Sequence, residues 1–410
     1  MEKGYCILPP IDVLPAQETT VGAKKGTAFL RQDNKKVILS TVLNSPLTSR
    51  RQICASTGLS FSTVRTIVNE LKSEGYLIEP AIIDSHRGRK PTLLDINASA
   101  LSVIGIDLNE LVGAAFDLKS SPCSSFYHLP DREKIELADV ATLVQTIIKN
   151  MPREAPQPAA IGISVPGRIN VQTGDVTLST NLSWNNVPLG TFINNAVGLP
   201  VAIESNLVCL VLGEACLGQA NGVNDFIYLH CGFRGIGSGI VANGRIIRGW
   251  KNTANEIRHL QIYPDGLECE CGRRGCLGTY ACGEAILRRA QTDIKNAHLV
   301  APPLNSLHDV AEAAIQGHTA SINALRSASL AIGRYLSNLT LALGPELIIV
   351  GGSSMVAGDI LIPVIRDTFV ELCTQKSDFL PKIVNVYDSE TKSAAGAARI
   401  ASHRLLLNSC

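Results

Sequence analysis

Three cysteines and one histidine lie close together in the chain and constrain its folding more than any other feature. The cysteines fall within eight residues, and the histidine lies ten residues before the first of them. The four residues are His259, Cys269, Cys271 and Cys276. Three thiolates and one imidazole complete a tetrahedral zinc shell and leave no position for a reactive water. Gly272 and Gly275 let the loop fold back on itself, so a structural zinc site is predicted, with free thiols as the alternative.

Length and composition bound the class of protein. With 410 residues the chain is long enough for two or three domains, and a hydrophobic content of 45% implies large buried cores. The net charge of +1 gives no indication of binding to nucleic acid or to a membrane. The distribution of charge along the chain is therefore more informative than the total. Twelve cysteines without regular pairing indicate a reducing compartment. No signal peptide or bilayer-spanning apolar stretch is visible, which predicts a cytoplasmic protein without membrane contacts.

The front of the chain has the pattern of a winged helix-turn-helix. Residues 1–31 lack periodicity and are predicted to be a flexible arm, followed by a domain over residues 32–96. Three short helices are expected, with Ser49–Gln52 as a capping box for the second and Ser60 as the cap of the third. A hairpin follows around a basic tip at residues 85–90. The apolar faces of the first and third helices are predicted to be formed by Val37, Ile38, Val42, Leu43, Val64, Ile67, Val68 and Leu71.

The polar face of the third helix and the hairpin tip suit DNA. A helix-turn-helix places the N-terminal end of this helix in the major groove, where hydroxyls, an amide and a guanidinium suit base edges and phosphates. Residues 32–94 include nine basic and five acidic residues, so positive charge is concentrated here. Arginines beside a glycine in the tip suit a narrow minor groove. The predicted contacts are Ser62, Thr63, Arg65, Thr66 and Asn69 in the helix and Arg87, Arg89 and Lys90 in the tip. Double-stranded operator DNA is the predicted partner, and a three-helix packing or dimerisation module is the alternative.

Beyond Asn97 the predicted strands alternate with predicted helices, which is typical of an α/β protein with mixed sheets covered by helices. This part also contains several short motifs besides the cysteine cluster. They include Gly162-Ile-Ser-Val-Pro-Gly167, Asn181-Leu-Ser-Trp184, Gly235-Ile-Gly-Ser-Gly239, Glu256-Ile-Arg-His259 and Pro345-Glu-Leu-Ile-Ile-Val-Gly-Gly352. With these motifs the chain, from about Gly26 onward, resembles the ROK family of repressors, open reading frames and sugar kinases. It resembles most of all the NagC/Mlc-type transcriptional regulators of that family.

The resemblance implies a two-lobed, actin-like ATPase fold of the ribonuclease H-like type, with a cleft between the lobes. The first lobe is expected at residues 97–200 together with residues 391–410, whose C-terminal helix packs back on it. The second lobe, with the zinc site, is expected at residues 201–390.

The resemblance also implies an effector site. Glu256 and His259 would hold sugar hydroxyls, with His259 also ligating zinc, and Asn206 would offer a further hydrogen bond. A surface acid without a role is the alternative for Glu256. Arg258 and Gly278 depart from the kinase pattern, which opens a second interpretation in which arginines hold an acidic group of the effector.

Three other departures from the kinase pattern argue against catalysis. Kinases of the family have Asp-x-Gly-Gly-Thr where this chain has Asp107-Leu-Asn-Glu-Leu111, and the new carboxylate would repel a triphosphate. Phe233-Arg234 stand before the second glycine loop, where backbone must approach phosphate closely. Ser205-Asn206 replace an Asn-Asp pair, and an amide cannot act as the general base. The chain is therefore predicted not to be an enzyme.

These observations predict a sugar-responsive, DNA-binding repressor of carbohydrate-metabolism genes. Two-fold operators favour a homodimer or homotetramer, in which a ligand in the kinase-like cleft would alter the spacing of the DNA-binding heads. Two alternatives stay open. One is an active sugar kinase with a DNA-binding head, and the other is a regulator controlled by a protein partner.

Overall fold

The computed structural model divides the chain into two compact units. The first comprises residues up to Gly222 together with those from Glu390, and the second comprises Val223–Ser389. The residues described are 27–80, 92–129, 134–250, 254, 256–298, 303–373, 380–387 and 390–408.

The first unit begins with the predicted DNA-binding head. Its elements are α1 (Thr27–Asn44), β1 (Thr48–Ser49), α2 (Arg50–Thr57), α3 (Phe61–Ser73), β2 (Leu77–Ile78) and β3 (Leu93–Ile96), with an antiparallel sheet in the order β1-β3-β2. The predicted capping box of Ser49 and Gln52 is present, and Gly58 ends α2 with a φ of 72°. The Ser60 hydroxyl accepts the backbone N–H of Thr63 at the start of α3. Three helices and a β2–β3 hairpin therefore confirm the winged helix-turn-helix.

The core of the head differs at one position from the sequence prediction. Val37 is exposed, whereas Leu39 is fully buried beside Ile38, Val42 and Leu43. The buried stripe of α1 therefore runs through positions i, i+1, i+4 and i+5, and Val37 lies outside it. The four predicted apolar residues of α3 are all buried.

The remainder of the first unit is built on a five-stranded mixed sheet in the order β11-β7-β4-β5-β6. A second, three-stranded antiparallel sheet has the order β10-β9-β8. The elements are β4 (Ser102–Asp107), β5 (Val112–Asp117), β6 (Tyr127–His128), α4 (Leu137–Lys149), β7 (Pro158–Val165), β8 (Arg168–Asn170), β9 (Asp175–Ser179), β10 (Trp184–Val187), α5 (Leu189–Val197), β11 (Val201–Ser205) and α6 (Asn206–Leu217).

The second unit has its own five-stranded sheet, in the order β14-β13-β12-β15-β16. Its elements are β12 (Phe226–Cys231), β13 (Ile236–Ala242), β14 (Arg245–Ile246), a 3-10 turn (Ile257–His259), α7 (Gly278–Ala281), α8 (Gly283–Ala297), α9 (Leu307–Ile315), α10 (Thr319–Leu343), β15 (Leu347–Gly351), α11 (Gly358–Leu372) and β16 (Lys382–Asn385). In each unit two parallel strands extend a sheet that starts with an antiparallel hairpin, so the two sheets share one topology.

The C-terminal helix α12 (Glu390–Asn408) packs against the sheet and α6 of the first unit. The backbone of α12 comes so close to the backbone of β7 and α6 that only glycine fits at the contact points. A Cβ placed on Gly162 would lie 1.9 Å from the carbonyl oxygen of Ala397, and one on Gly396 would lie 1.8 Å from that of Cys209. Glycine is therefore the residue that lets backbone meet backbone here, and α12 packs within the first unit.

The same helix also joins the head to the first lobe. Leu406 of α12 lies in the core of the head, and the guanidinium of Arg399 donates to the carbonyl oxygen of Leu43 near the end of α1 at 3.0 Å. Arg399 is only 1% exposed. A cation at a helix C-terminus complements the helix dipole, so this contact anchors α1 to α12.

The boundary between the units lies later than the sequence predicted. Strand β11 pairs in parallel with β7 from Val201 to Ser205, and α6 packs on α12. Hydrogen bonding and packing therefore place residues 201–222 in the first unit, and residue 200 is an internal position of that unit. None of the helices among the described residues is long and apolar enough to cross a membrane.

Candidate functional site

The four predicted metal ligands come together in the second unit. His259 ends the 3-10 turn, and the three cysteines lie in the loop before α7. One ligand atom from each residue lies within 4.8 Å of all the others. Cys269 Sγ is 3.4 Å from His259 Nδ1, and Cys271 Sγ is 3.7 Å from Cys276 Sγ. A tetrahedral zinc ion with bonds of about 2.3 Å to sulfur and about 2.0 Å to nitrogen separates its ligands by about 3.5–3.8 Å. The side chains are therefore already spaced for a four-coordinate metal.

Backbone hydrogen bonds shape this metal loop (residues 259–276). The N–H of Cys269 donates to the carbonyl of Arg273 at 2.8 Å, and the N–H of Gly275 donates to that of Leu267 at 2.7 Å. Gly272 and Gly275 have φ of 82° and 72°, a region that favours glycine. A Cβ on Gly275 would also lie 1.5 Å from the Tyr263 carbonyl oxygen. The prediction that glycines fold the loop back is thus confirmed.

Two arginines near the metal loop have structural contacts that the sequence pattern did not reveal. Arg273 donates from its guanidinium to the carbonyl of His259 at 2.9 Å. Hydrogen bonds from the backbone and side chain of Arg273 lower the pKa of the Cys271 thiol to about 6. Because metals bind the thiolate form, Arg273 favours the ligand form of Cys271. The adjacent Arg-Arg pair inside the cysteine spacing was the available signal.

Arg258 braces the loop from the other side. Its guanidinium pairs with Glu270 at 2.8 Å and donates to the carbonyl of Arg234 at 3.0 Å. Its Cγ occupies the space above Gly278, where an added Cβ would lie only 2.6 Å away. The glycine at 278 and the arginine at 258 are therefore sterically matched, and the Arg258 guanidinium already has two partners within the protein.

The predicted effector residues are divided between the two units. Glu256 is exposed just before the 3-10 turn, three residues from His259. Since Nδ1 of His259 faces the cysteine sulfurs, its Nε2 points away from them and can meet a ligand. Asn206 is half-buried and opens α6 in the first unit.

The segment that the resemblance aligns with the first phosphate loop of the kinases is a turn between β4 and β5. Asp107 is buried, and the Ser164 hydroxyl donates to its carboxylate at 3.0 Å. Burial raises the pKa of Asp107 to about 7. The Asn109 amide donates to Glu110 at 2.6 Å, and the Asn181 amide donates to Asn109 at 3.3 Å. The side chains of Asn109 and Glu110 in this turn are therefore engaged in hydrogen bonds within the protein.

The segment that the resemblance aligns with the second phosphate loop covers the start of α8. The N–H of Gly283 donates to the carbonyl of Gly232 at 3.2 Å, and that of Glu284 donates to the carbonyl of Phe233 at 2.8 Å. Phe233 lies directly against Gly283. Two of the first amides of α8 are consequently used inside the protein, which removes them as donors for a phosphate.

The predicted DNA-contacting side chains of α3 lie on one polar face. Ser62, Arg65, Thr66 and Asn69 are exposed, and Thr63 is half-buried. The hydroxyls of Ser62 and Thr63 lie 2.9 Å and 2.8 Å from that of Ser60, so they also complete the helix cap. Among the described residues, Arg65 makes no ion pair. This face therefore offers one guanidinium, one amide and a free hydroxyl from the middle of α3.

Ion pairs within the head neutralise its acidic residues. Glu70 pairs with Arg31, Glu74 pairs with Lys35, and Glu79 contacts Lys72 and Arg50 at 2.8 Å each. Hydrogen bonds from Lys72 and Arg50 lower the pKa of Glu79, which keeps it ionised. The predicted tip residues Arg87, Arg89 and Lys90 lie outside the described residues.

The comparisons with known proteins agree with this two-part organisation. The model of the ROK family matches residues 123–404, and a model described as winged helix-turn-helix DNA-binding matches residues 31–78. The chain belongs to the ROK family. Among the relatives of this ROK protein is the xylose repressor of Caldicellulosiruptor bescii, 29% identical over 370 residues that cover 87% of this chain and 91% of the repressor. The xylose repressor of Bacillus subtilis is 30% identical over 79% of this chain and 83% of its own length.

Kinases and a regulator are also among the matches. The glucokinase of Halalkalibacterium halodurans is 32% identical, over 51% of this chain and 66% of the kinase. A ROK family transcriptional regulator, described as a homologue of the E. coli MLC protein, matches with a TM-score of 0.74 and 23% identity. That match covers 92% of this chain and 98% of the regulator, and it confirms the predicted fold from the head through the ROK domain.

Proposed function

We propose that this ROK protein is a sugar-responsive transcriptional repressor that binds operator DNA. The observation that carries the proposal is the recognition helix α3, whose polar face is exposed while its apolar face is fully buried. In a helix-turn-helix the helix at this position enters the major groove, and the exposed polar face of α3 is available for that contact. Relatives named xylose repressors match along most of their length, which supports the same combination of head and ROK domain.

The proposed effector is a sugar or sugar derivative, with Glu256 and His259 of the second unit as its contacts; Asn206 of the first unit is the third residue predicted from the sequence. A carboxylate, an imidazole donor and an amide are suitable partners for hydroxyl groups. The names of the relatives make D-xylose the first compound to test. Carbohydrate-metabolism genes are the corresponding proposed targets.

The proposed metal is one structural zinc ion per chain, held by His259, Cys269, Cys271 and Cys276. The donor set fits, since three sulfurs and one nitrogen at tetrahedral spacing form a closed shell. A closed shell supplies rigidity rather than a reactive water. The metal would fix the tautomer of His259 and the position of the adjacent Glu256.

We further propose that the ROK domain does not transfer phosphate. Asn206 stands in place of a carboxylate base, and Glu110 adds a carboxylate to the first phosphate loop. The first backbone N–H groups of α8 also donate to carbonyl groups of the protein, so they are not available to bind a phosphate. ATP turnover with glucose, N-acetylglucosamine, N-acetylmannosamine and allose is expected to stay at background.

Binding to a two-fold operator leads us to propose an even-numbered homo-oligomer that works in the cytoplasm. A genome-wide DNA-binding profile tests the proposal directly. Discrete sites beside genes for sugar uptake or breakdown are the expected result. Absence of specific sites together with robust sugar phosphorylation would favour the kinase alternative. The glucokinase relatives are the reason to test that alternative. Specific sites whose occupancy follows a protein partner and no sugar would favour control by that partner.

A further inference from the structure

A cavity of about 380 Å³ lies inside the second unit, between the metal loop and α8. One wall is formed by residues 267–270 and 278–279, and the other by one face of α8 that carries Arg288, Arg289, Thr292 and Asp293. Glu256 and His259 do not line it. Arg258, which lies between these two residues in the chain, does line it, so the cavity adjoins the proposed contacts of the sugar effector without including them.

The charged side chains on the loop side of this cavity form ion pairs, whereas the arginines on the helix side form none among the described residues. On the loop side, Glu270 pairs with Arg258 and Glu268 pairs with Arg274, each at 2.8 Å. On the helix side, Arg288 and Arg289 form no ion pair within the described part of the chain. The Nε of Arg289 is buried and has no hydrogen-bond partner there. Buried donors in native proteins nearly always have an acceptor, so this nitrogen calls for one from outside the chain.

We propose that this cavity binds a small molecule with a phosphate or carboxylate group, held by Arg289 and Arg288. The fork of N–H donors in a guanidinium matches the oxygens of either anion, and two adjacent arginines raise the affinity for negative charge. The loop side of the cavity adds a third guanidinium, that of Arg258, which is already paired with Glu270. The Thr292 hydroxyl donates to the carbonyl of Arg288 at 2.8 Å and still accepts hydrogen bonds, as Asp293 does. Hydroxyl groups on the ligand suit these acceptors.

The size of the cavity narrows the ligand class. Small-molecule sites in proteins have volumes of about 300–1,000 Å³, so this one suits a compact metabolite. Combined with the acceptors on α8, the anion site points to a phosphorylated or acidic sugar rather than a long peptide.

The location of the cavity links it to the metal. Glu268, Cys269 and Glu270 line it and belong to the metal loop. A ligand that binds the folded loop more tightly than the open loop favours metal binding, and by linkage the metal favours the ligand. The anionic ligand is therefore a second input to the protein, which acts through the loop and does not depend on the sugar contacts of Glu256.

Calorimetry on the full-length, zinc-supplemented protein tests this inference. Glucose 6-phosphate and gluconate present the two anion types, and glucose is the uncharged probe. We expect at least one of the two anions to bind at least tenfold more tightly than glucose. Arg289→Gln should weaken this binding at least tenfold, while Arg326→Gln, at an exposed arginine of α10, leaves it unchanged.

Further variants keep the outcome decisive. If Arg289→Gln fails to fold, Arg288→Gln at the exposed neighbouring position takes its place and should weaken binding in the same direction. Glu256→Gln should leave anion binding intact, which separates this site from the proposed sugar site. Equal affinity for glucose and both anions, or an anion affinity indifferent to Arg288 and Arg289, would overturn the proposal.

Discussion

Arg258 and Arg273 hold the metal loop from two sides, and they show which residues a sequence can and cannot reveal. The cluster of one histidine and three cysteines was predictable because the spacing is short and the chemistry is specific. The contact of Arg258 with Glu270 and its fit over Gly278 depend on the path of the intervening loop, so no local pattern records them. The exposure of Val37 likewise depends on which face of α1 the other helices cover.

The first prediction concerns a proposed metal ligand. Cys276→Ser should reduce the zinc content from about one per chain to near zero, because a hydroxyl is a poor replacement for a buried thiolate. The loop should loosen and the midpoint of thermal unfolding should fall. Metal analysis of reduced, chelator-washed protein makes the measurement. Cys373→Ser is the matched control, since Cys373 is also buried in the second unit but lies outside the cluster, and it should retain the metal.

The second prediction concerns pH. His403 of α12 is buried, and burial together with the charges of Arg399 and Arg404 lowers its pKa to about 3. The unfolded chain takes up a proton on this histidine below its ordinary pKa of about 6.5, while the folded chain does not. Stability is therefore lost as the pH falls from about 6.5 towards about 3, and the loss from this residue at pH 5 is about 2 kcal/mol.

Urea unfolding at pH 7 and pH 5 measures this effect. His403→Leu should reduce the loss of stability between the two pH values, because it removes the proton-binding group. His128→Gln, at an exposed position of β6, should leave the loss unchanged. An identical pH dependence in His403→Leu and the original protein would count against the assignment.

At the level of elements, capped and strongly periodic helices were predicted well, and short or interrupted ones were missed. Helix α3 matched because Ser60 caps it and its apolar residues follow one face. Helix α11 has no comparable signal in the sequence, because Pro363 lies inside it and interrupts the helical pattern. The sheet of β8, β9 and β10 was missed because its strands are three to five residues long. Such strands are fixed by pairing rather than by their own composition.

The third prediction concerns the recognition helix. Arg65→Ala should cost about 1–3 kcal/mol at the preferred operator and relax sequence preference at one position, if its guanidinium reaches a base edge. Selection from a random DNA library, followed by affinity measurement, gives both quantities. Arg326→Ala in the second unit should leave both unchanged. A uniform loss over all DNA sequences would instead assign Arg65 to a phosphate contact.

The fourth prediction concerns the hairpin tip. The double substitution Arg87→Ala with Arg89→Ala should weaken operator binding and reduce its dependence on salt, because each lost phosphate contact lowers the slope by about 0.9. Binding titrations between low and moderate salt measure the slope. Unchanged affinity and slope would contradict a role of the tip in DNA binding.

At the level of the whole molecule, the family resemblance identified the fold. The boundary between its units depends on strand pairing and became clear only from the structure. Strand β11 reads like the start of a new lobe, but its pairing with β7 places it and α6 in the first unit. The same unit includes the head, which Leu406 and Arg399 join to α12. The DNA-binding head is therefore packed onto the ROK domain rather than attached by a linker, so a change in the first lobe has a direct structural route to α1.

The most direct test of the central claim is the affinity of the zinc-loaded protein for its operator, measured by fluorescence anisotropy with and without sugars. The operator comes from the genome-wide profile, and the sugars are D-xylose, glucose, N-acetylglucosamine, N-acetylmannosamine and allose. We predict that one of them weakens operator binding at least tenfold, a coupling of about 1.4 kcal/mol. Glu256→Gln should bind the operator normally but lose this response, whereas Glu312→Gln, exposed on α9, should keep it. Operator binding that no sugar alters, or the absence of specific DNA binding, would contradict the account.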